Sequence, residues 1–164
     1  MTTTPIYDAE EFLRGLNSYP LKYKYIFLVL TETGFRISDV LNLKVRDIRH
    51  GKKITEKKTK KKRTFHLSEE LKQEVLAYAK TANLRNEDFL FPSTTKNLCR
   101  PLSRYQVHRV FKAVSFALEL EGVISVHSCR KTFARQFMAK FGDIKALQKE
   151  LNHSNITTTR GYLN

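Results

Sequence analysis

The chain has 164 residues, which suits one domain large enough to bury a core without disulfides or a structural metal. Its 41% hydrophobic content, with 11 Phe and 7 Tyr, fits a soluble globular protein, and its most apolar stretch, residues 25–30, is far too short to span a bilayer. A net charge of +14 and a pI near 9.9 call for a polyanionic partner, which for a soluble domain usually means nucleic acid.

Residues 8–16 have the pattern of an amphipathic helix, with Asp8 as its N-cap. Pro20 opens a strongly apolar helix to about Thr31, with Ile26, Phe27, Val29 and Leu30 facing a core, and Gly34 is its stop. Residues 36–43 begin a new short helix whose buried stripe is Ile37, Val40, Leu41 and Leu43. Alternation over 44–48 predicts a short strand, His50-Gly51 a turn, and 53–56 and 63–67 two further strands around a lysine-rich turn. Ser68 caps a helix to about Ala82, with Glu69 and Glu70 in its positively polarised first turn. A loop follows, containing Phe89-Leu90-Phe91-Pro92.

From Ser103 the chain is helical again. Val107, Val110, Phe111 and Val114 keep helical spacing, as do Phe133, Phe137 and Phe141, a series that reads as core and not as a platform for stacking bases. Asp143 caps a further amphipathic segment, and Ser154 caps a last short helix leading to Tyr162. The expected fold is mainly α (α+β): a helical domain carrying one small three-stranded antiparallel sheet. Residues 1–164 read as one domain, with no internal repeat, linker or second domain.

Between Lys52 and Arg63, eight of twelve residues are Lys or Arg, and Glu56 is the only acid, so this window supplies +7 of the +14 total. The run falls on a turn between two strands, flanked by Ile54 and Phe65. A projecting basic hairpin can reach into a groove and contact phosphates on either side, which makes affinity fall steeply with salt. Lys57, Lys60, Lys61, Lys62 and Arg63 are the expected DNA-binding residues. The bland alternative is a solvated turn.

Other residue types narrow the chemistry. No signal-peptide pattern follows Met1, and Cys99 and Cys129 lack CxxC spacing, so both are expected to be reduced thiols in a cytoplasmic protein. Cys129 lies beside His127, which raises a Cys–His nucleophile, but no orienting carboxylate is evident. No metal-binding pattern is present and no cofactor is expected.

Three stretches carry a family resemblance. Thr33-Gly34-Phe35-Arg36-Ile37-Ser38-Asp39 resembles the first conserved box of the tyrosine recombinases, the phage-integrase family. His127-Ser128-Cys129-Arg130-Lys131-Thr132-Phe133-Ala134 resembles the second, built on His-x-x-Arg. Leu151-Asn152-His153-Ser154 through Thr158-Thr159-Arg160-Gly161-Tyr162 resembles the third. Arg130 to His153 is 23 residues and His153 to Tyr162 is 9, intervals that also match. Each piece is weak alone in a basic chain; their order and spacing make the signal specific, over the chain from about Pro20 onward.

The resemblance implies a catalytic domain whose residues act on one DNA phosphate. Arg36 and Arg130 would clamp the scissile phosphate, and paired guanidinium donors suit non-bridging phosphate oxygens. His127 and Arg130, at i and i+3 on a helix start, can face the same group. Lys58 would protonate the leaving 5′ oxygen, with Lys57 and Lys60 as alternatives, and His127 would act as base. His153 would hydrogen-bond the phosphate, and Tyr162 would attack as nucleophile, leaving a 3′-phosphotyrosyl link. Asp39 matches the acidic residue that helps order the site.

Implied partners are duplex DNA and further protomers on paired sites, with no membrane. Relatives usually have Gly where this chain has Asn152, the next-best residue for a left-handed backbone. They also carry a separate N-terminal core-binding domain, to which nothing here corresponds. Three other readings stand beside this one: a noncatalytic DNA-binding regulator that keeps the fold, an RNA-associated basic protein, and a type IB topoisomerase-like activity.

Overall fold

The computed structural model describes residues 3–55, 62–94 and 97–163. Its centre is α2 (Lys22–Thr33), which buries Tyr23, Tyr25, Ile26, Phe27, Val29, Leu30, Thr31 and Thr33 and so is enclosed on most of its circumference. Before it, α1 (Ala9–Leu16) starts at Asp8, whose Oδ1 accepts the Glu11 N–H at 2.7 Å. Phe12 of α1 meets Phe27 at 5.0 Å between ring centroids and Phe111 of α6 (Arg104–Ala117) at 5.3 Å, tying three helices into one core. The Ser68 and Ser103 hydroxyls cap α5 (Glu69–Thr81) and α6 by accepting the Leu71 and Gln106 N–H groups. Beyond α6 come α7 (Val126–Phe141), α8 (Ile144–Glu150) and α9 (Ile156–Arg160). Asp143 caps α8 as expected, whereas α9 is capped by Asn155 and not by Ser154.

The fold class is mainly helical with small antiparallel sheets, but among the described residues these are two two-stranded sheets and not one of three strands. Strands β1 (Lys52–Thr55) and β2 (Lys62–Phe65) pair antiparallel with Lys52 opposite Phe65 and Thr55 opposite Lys62. The stretch expected as a third strand is instead helix α4 (Val45–His50). Val45 and Ile48 are both buried and sit three apart, a helical spacing, and the Asp47 carboxylate accepts the Lys44 N–H at 2.9 Å. All that remains of the strand is an isolated bridge from Lys44 to Phe89. A second hairpin, β3 (Pro92–Thr94) and β4 (Asn97–Pro101), follows the expected loop and has no clear signal in the sequence; its strands are short and irregular in register. Helix α3 (Ile37–Val40) completes the set.

The Phe series of α7 meets expectation only in part. Phe133 and Phe137 are half-buried against the core cluster of Ala134, Leu147 and Leu151, whereas Phe141 is 59% exposed. Helix α7 turns Ser128, Cys129, Arg130, Thr132 and Ala134 inward, so the i, i+4 series falls on an adjacent face. There it lines an open cleft of about 590 Å³ with Phe35, Arg63, Glu150 and Asn152.

Gly34 closes α2 in the left-handed region at φ 62, its N–H bonded to Leu30 O. A Cβ there would overlap the ring of Phe133. Gly34→Ala is therefore expected to lower stability by about 2–4 kcal/mol, from backbone strain plus overlap, measured as a shift in the urea midpoint at constant m-value.

Candidate active site

Arg130 lies in the second turn of α7 and is only 2% exposed. A buried guanidinium needs its solvation replaced. Two helix ends supply it: Nη1 donates to the carbonyl of Gly34, the C-cap of α2, and Nη2 to that of Leu151, the C-cap of α8. Terminal helix carbonyls lack intrahelical donors and carry the negative end of the dipole, so a cation is favourable at both. Nη2 also meets His153 Nε2 at 3.2 Å.

His153 follows directly on the turn after α8. Asn152 holds that turn at φ 56, so the left-handed backbone expected of it is present. The His153 N–H bonds to Gln148 O at 3.0 Å, and Gln148 Nε2 donates to His153 O at 3.1 Å. Its ring Nδ1 lies 3.0 Å from Oγ1 of Thr159, a residue with no exposed surface. The Tyr162 ring centroid is 5.0 Å from the His153 ring and 5.7 Å from Arg130 Cζ. The second and third boxes thus meet within one side chain's reach.

Arg36 is the half-buried N-cap of α3, two residues beyond the Gly34 carbonyl that Arg130 holds, or about 7 Å of chain. Both arginines therefore belong to one corner of the molecule. Asp39, 4% exposed, sits in the first turn of α3, where its N–H bonds to Arg36 O at 2.9 Å. His127 is exposed on the first turn of α7, its N–H accepted by Ser125 Oγ at 3.2 Å. It stands one helical turn from Arg130.

Lys57, Lys58, Lys60 and Lys61 lie outside the described residues. Lys62 is exposed on β2. Arg63 differs from Lys62, because its side chain is only 11% exposed and faces inward. Nη2 donates to Thr33 O at 2.6 Å and to Glu150 Oε2 at 3.2 Å, while Cζ stands 4.1 Å from the Phe35 ring centroid. Strand pairing sets this direction: Arg63 lies opposite buried Ile54, and the ring of Phe35 offers its guanidinium a flat face. Arg63 joins the hairpin to the ends of α2 and α8, the same two ends that Arg130 bridges one residue further along each.

Cys129 is a core side chain with no exposed surface, and burial raises its thiol pKa well above the ordinary value. A buried neutral thiol is no nucleophile. Thr159 carries no signal in the sequence, where it is one of three consecutive threonines with nothing to distinguish it. Lys131, 5% exposed beside Arg130, is likewise indistinguishable there from the general basic charge.

Residues 6–164 match the Phage integrase family. The chain belongs to that family. It is 36% identical over 160 residues to the probable integrase/recombinase YoeC of Bacillus subtilis, covering 96% of this chain and 84% of that protein. The tyrosine recombinase XerA of Pyrococcus horikoshii is 30% identical over 145 residues, covering 87% of this chain but 50% of that protein. The chain spans about half the length of that relative. Among solved structures, a lambda integrase dimer bound to a COC′ core site matches with a TM-score of 0.79 at 20% identity, over 99% of this chain and 48% of that one. XerH bound to a palindromic difH substrate, in a post-cleavage complex, matches at 0.77 and 21%, over 100% and 49%. The fold is therefore that of these recombinases.

Proposed function

We propose that this chain is the catalytic part of a site-specific DNA recombinase or integrase, cutting and rejoining duplex DNA through a 3′-phosphotyrosyl link. The observation that carries the reading is the meeting of Arg130, His153 and the Tyr162 ring at one spot, with the chain leading into Arg36 bonded to it. The phenol oxygen of Tyr162 attacks phosphorus and the 5′ oxygen departs. Negative charge grows on the non-bridging oxygens, where Arg36 and Arg130 donate and His153 hydrogen-bonds. His127 acts as base, and a hairpin lysine, Lys58 with Lys57 and Lys60 as alternatives, protonates the leaving oxygen. Asp39 helps order the Arg36 turn. The phosphotyrosine keeps the energy of the broken ester, so religation needs neither ATP nor metal.

Relatives solved on DNA, one of them as a dimer, support duplex DNA and further protomers as partners. One protomer acting alone would relax supercoiled DNA by the same chemistry, as a type IB topoisomerase does. Because the target site is unknown, the test uses a pool of nicked duplexes of random sequence. Strands linked to protein after denaturation are recovered and sequenced. A tyrosyl-linked 3′ end is the expected result; duplex binding with no linked strand from any member of the pool would leave only the noncatalytic regulator.

The hairpin carries a separate expectation. Changing Lys57, Lys60, Lys61 and Lys62 together to Gln should lower the slope of log K against log salt by about 0.9 for each phosphate no longer neutralised, read by anisotropy between roughly 50 and 200 mM salt. A slope unchanged by the substitution would make the basic turn a solvated surface.

A further inference from the structure

We propose that Thr159 is a positioning residue that accepts the Nδ1 proton of His153 and so holds the imidazole with Nε2 toward Arg130. For its catalytic consequence this rests on the recombinase reading above. An arginine has only donors, so at the 3.2 Å contact Nη2 of Arg130 donates and Nε2 of His153 accepts. A neutral imidazole that accepts at Nε2 has its proton on Nδ1. Nδ1 lies 3.0 Å from Thr159 Oγ1, which must then accept. The other tautomer would aim an N–H at the N–H of Arg130.

The surroundings leave Thr159 this task. It has no exposed surface, so water does not stand in for the hydroxyl, and a buried Nδ1–H without an acceptor is costly. Gln148 clasps the His153 backbone on both its N–H and its carbonyl, which leaves the ring to be oriented from its two nitrogens. Thr159 also acts through its main chain: its carbonyl accepts the Tyr162 N–H at 3.0 Å. One residue therefore holds the imidazole by its side chain and the phenol-bearing turn by its backbone, and the two rings stand 5.0 Å apart.

Thr159→Val keeps the shape and the backbone bond and removes the hydroxyl; Thr159→Ser keeps the hydroxyl. Long-range proton–nitrogen NMR of the DNA-free protein reads the tautomer directly. In the wild type and Thr159→Ser, His153 is expected as the Nδ1–H form. In Thr159→Val the proton is expected to stay on Nδ1, because Arg130 still faces Nε2, but the Nδ1 and ring resonances should move away from their wild-type positions as the hydrogen bond is lost. In the adduct assay, Thr159→Val should be slower by roughly tenfold or more with duplex affinity unchanged, and Thr159→Ser should recover most of the rate. An Nε2–H tautomer in the wild type overturns the proposal even if the valine variant does not fold, and so does a Thr159→Val protein that retains the wild-type His153 spectrum. If the spectra behave as expected while no protein forms an adduct, the recombinase reading fails and the role of Thr159 in holding the ring stands.

Discussion

Tyr162→Phe is expected to remove the denaturation-resistant protein–DNA adduct entirely while leaving duplex affinity within about twofold. Only one oxygen is removed. The ring remains to pack against the cluster of Ala134, Leu147 and Leu151 and beside the His153 imidazole, so fold and binding surface are retained. The Cys129 thiol offers no substitute for the phenol: it is buried in the core with its pKa raised, leaving no thiolate to attack. The measurement is gel separation of labelled nicked duplex after denaturation, beside anisotropy for binding. An adduct that persists in the Phe variant would move the nucleophile elsewhere and dismantle the proposed site.

Arg130→Ala should be the most damaging single change, because it removes two things at once. The first is structural. The guanidinium satisfies the Gly34 and Leu151 carbonyls and meets His153 in a place with almost no solvent, so its removal leaves buried acceptors at two helix ends. At about 1–3 kcal/mol for each buried group left unsatisfied, the variant should lose roughly 3 kcal/mol or more of stability. The second is chemical: one donor set to the transition state disappears, costing about 10²–10³ in adduct rate among molecules still folded.

Two companions separate these effects. Arg130→Lys keeps the charge but cannot span both carbonyls, so it should remain well below wild type in stability and rate. Arg36→Ala, at the half-buried N-cap of a short helix, should lose a comparable rate but less stability than Arg130→Ala, whose guanidinium is the more deeply buried. Urea unfolding gives one axis and single-turnover adduct formation the other. Equal stability losses in the Arg36 and Arg130 variants would contradict the arrangement described.

Much of the architecture is legible in neighbouring residues. Asp8, Ser68, Ser103 and Asp143 announce their helices because a capping side chain bonds to an amide only two or three residues on. Gly34 and Asn152 announce left-handed turns because few residues tolerate that backbone, and both turns are formed. The family is legible as well, from residue types in an order, and the family match over residues 6–164 agrees with that resemblance.

What escapes such a reading depends on contacts between distant segments. The stretch at 44–48 alternates like a strand yet 45–50 is helical, since the burial of Val45 and Ile48 decides between two periods that five residues cannot separate. Arg63 looks like one more cation of the hairpin, but its direction follows from the pairing of β2 with β1 and from Phe35, Thr33 and Glu150 awaiting it. The Phe series of α7 has the spacing of a core stripe without its depth, because which face of a helix is innermost depends on what packs against it.

Local chemistry along the chain thus specified the caps, the turns and the kinds of group available for phosphate chemistry, for those depend on atoms a few bonds apart. Folding alone settled which groups meet. Arg130 lies 96 residues from Gly34 and 21 from Leu151, and its burial depends on both carbonyls being brought to it. The same holds for Thr159, ordinary among its neighbours until the turn at Asn152 swings an imidazole nitrogen to within 3.0 Å of its hydroxyl.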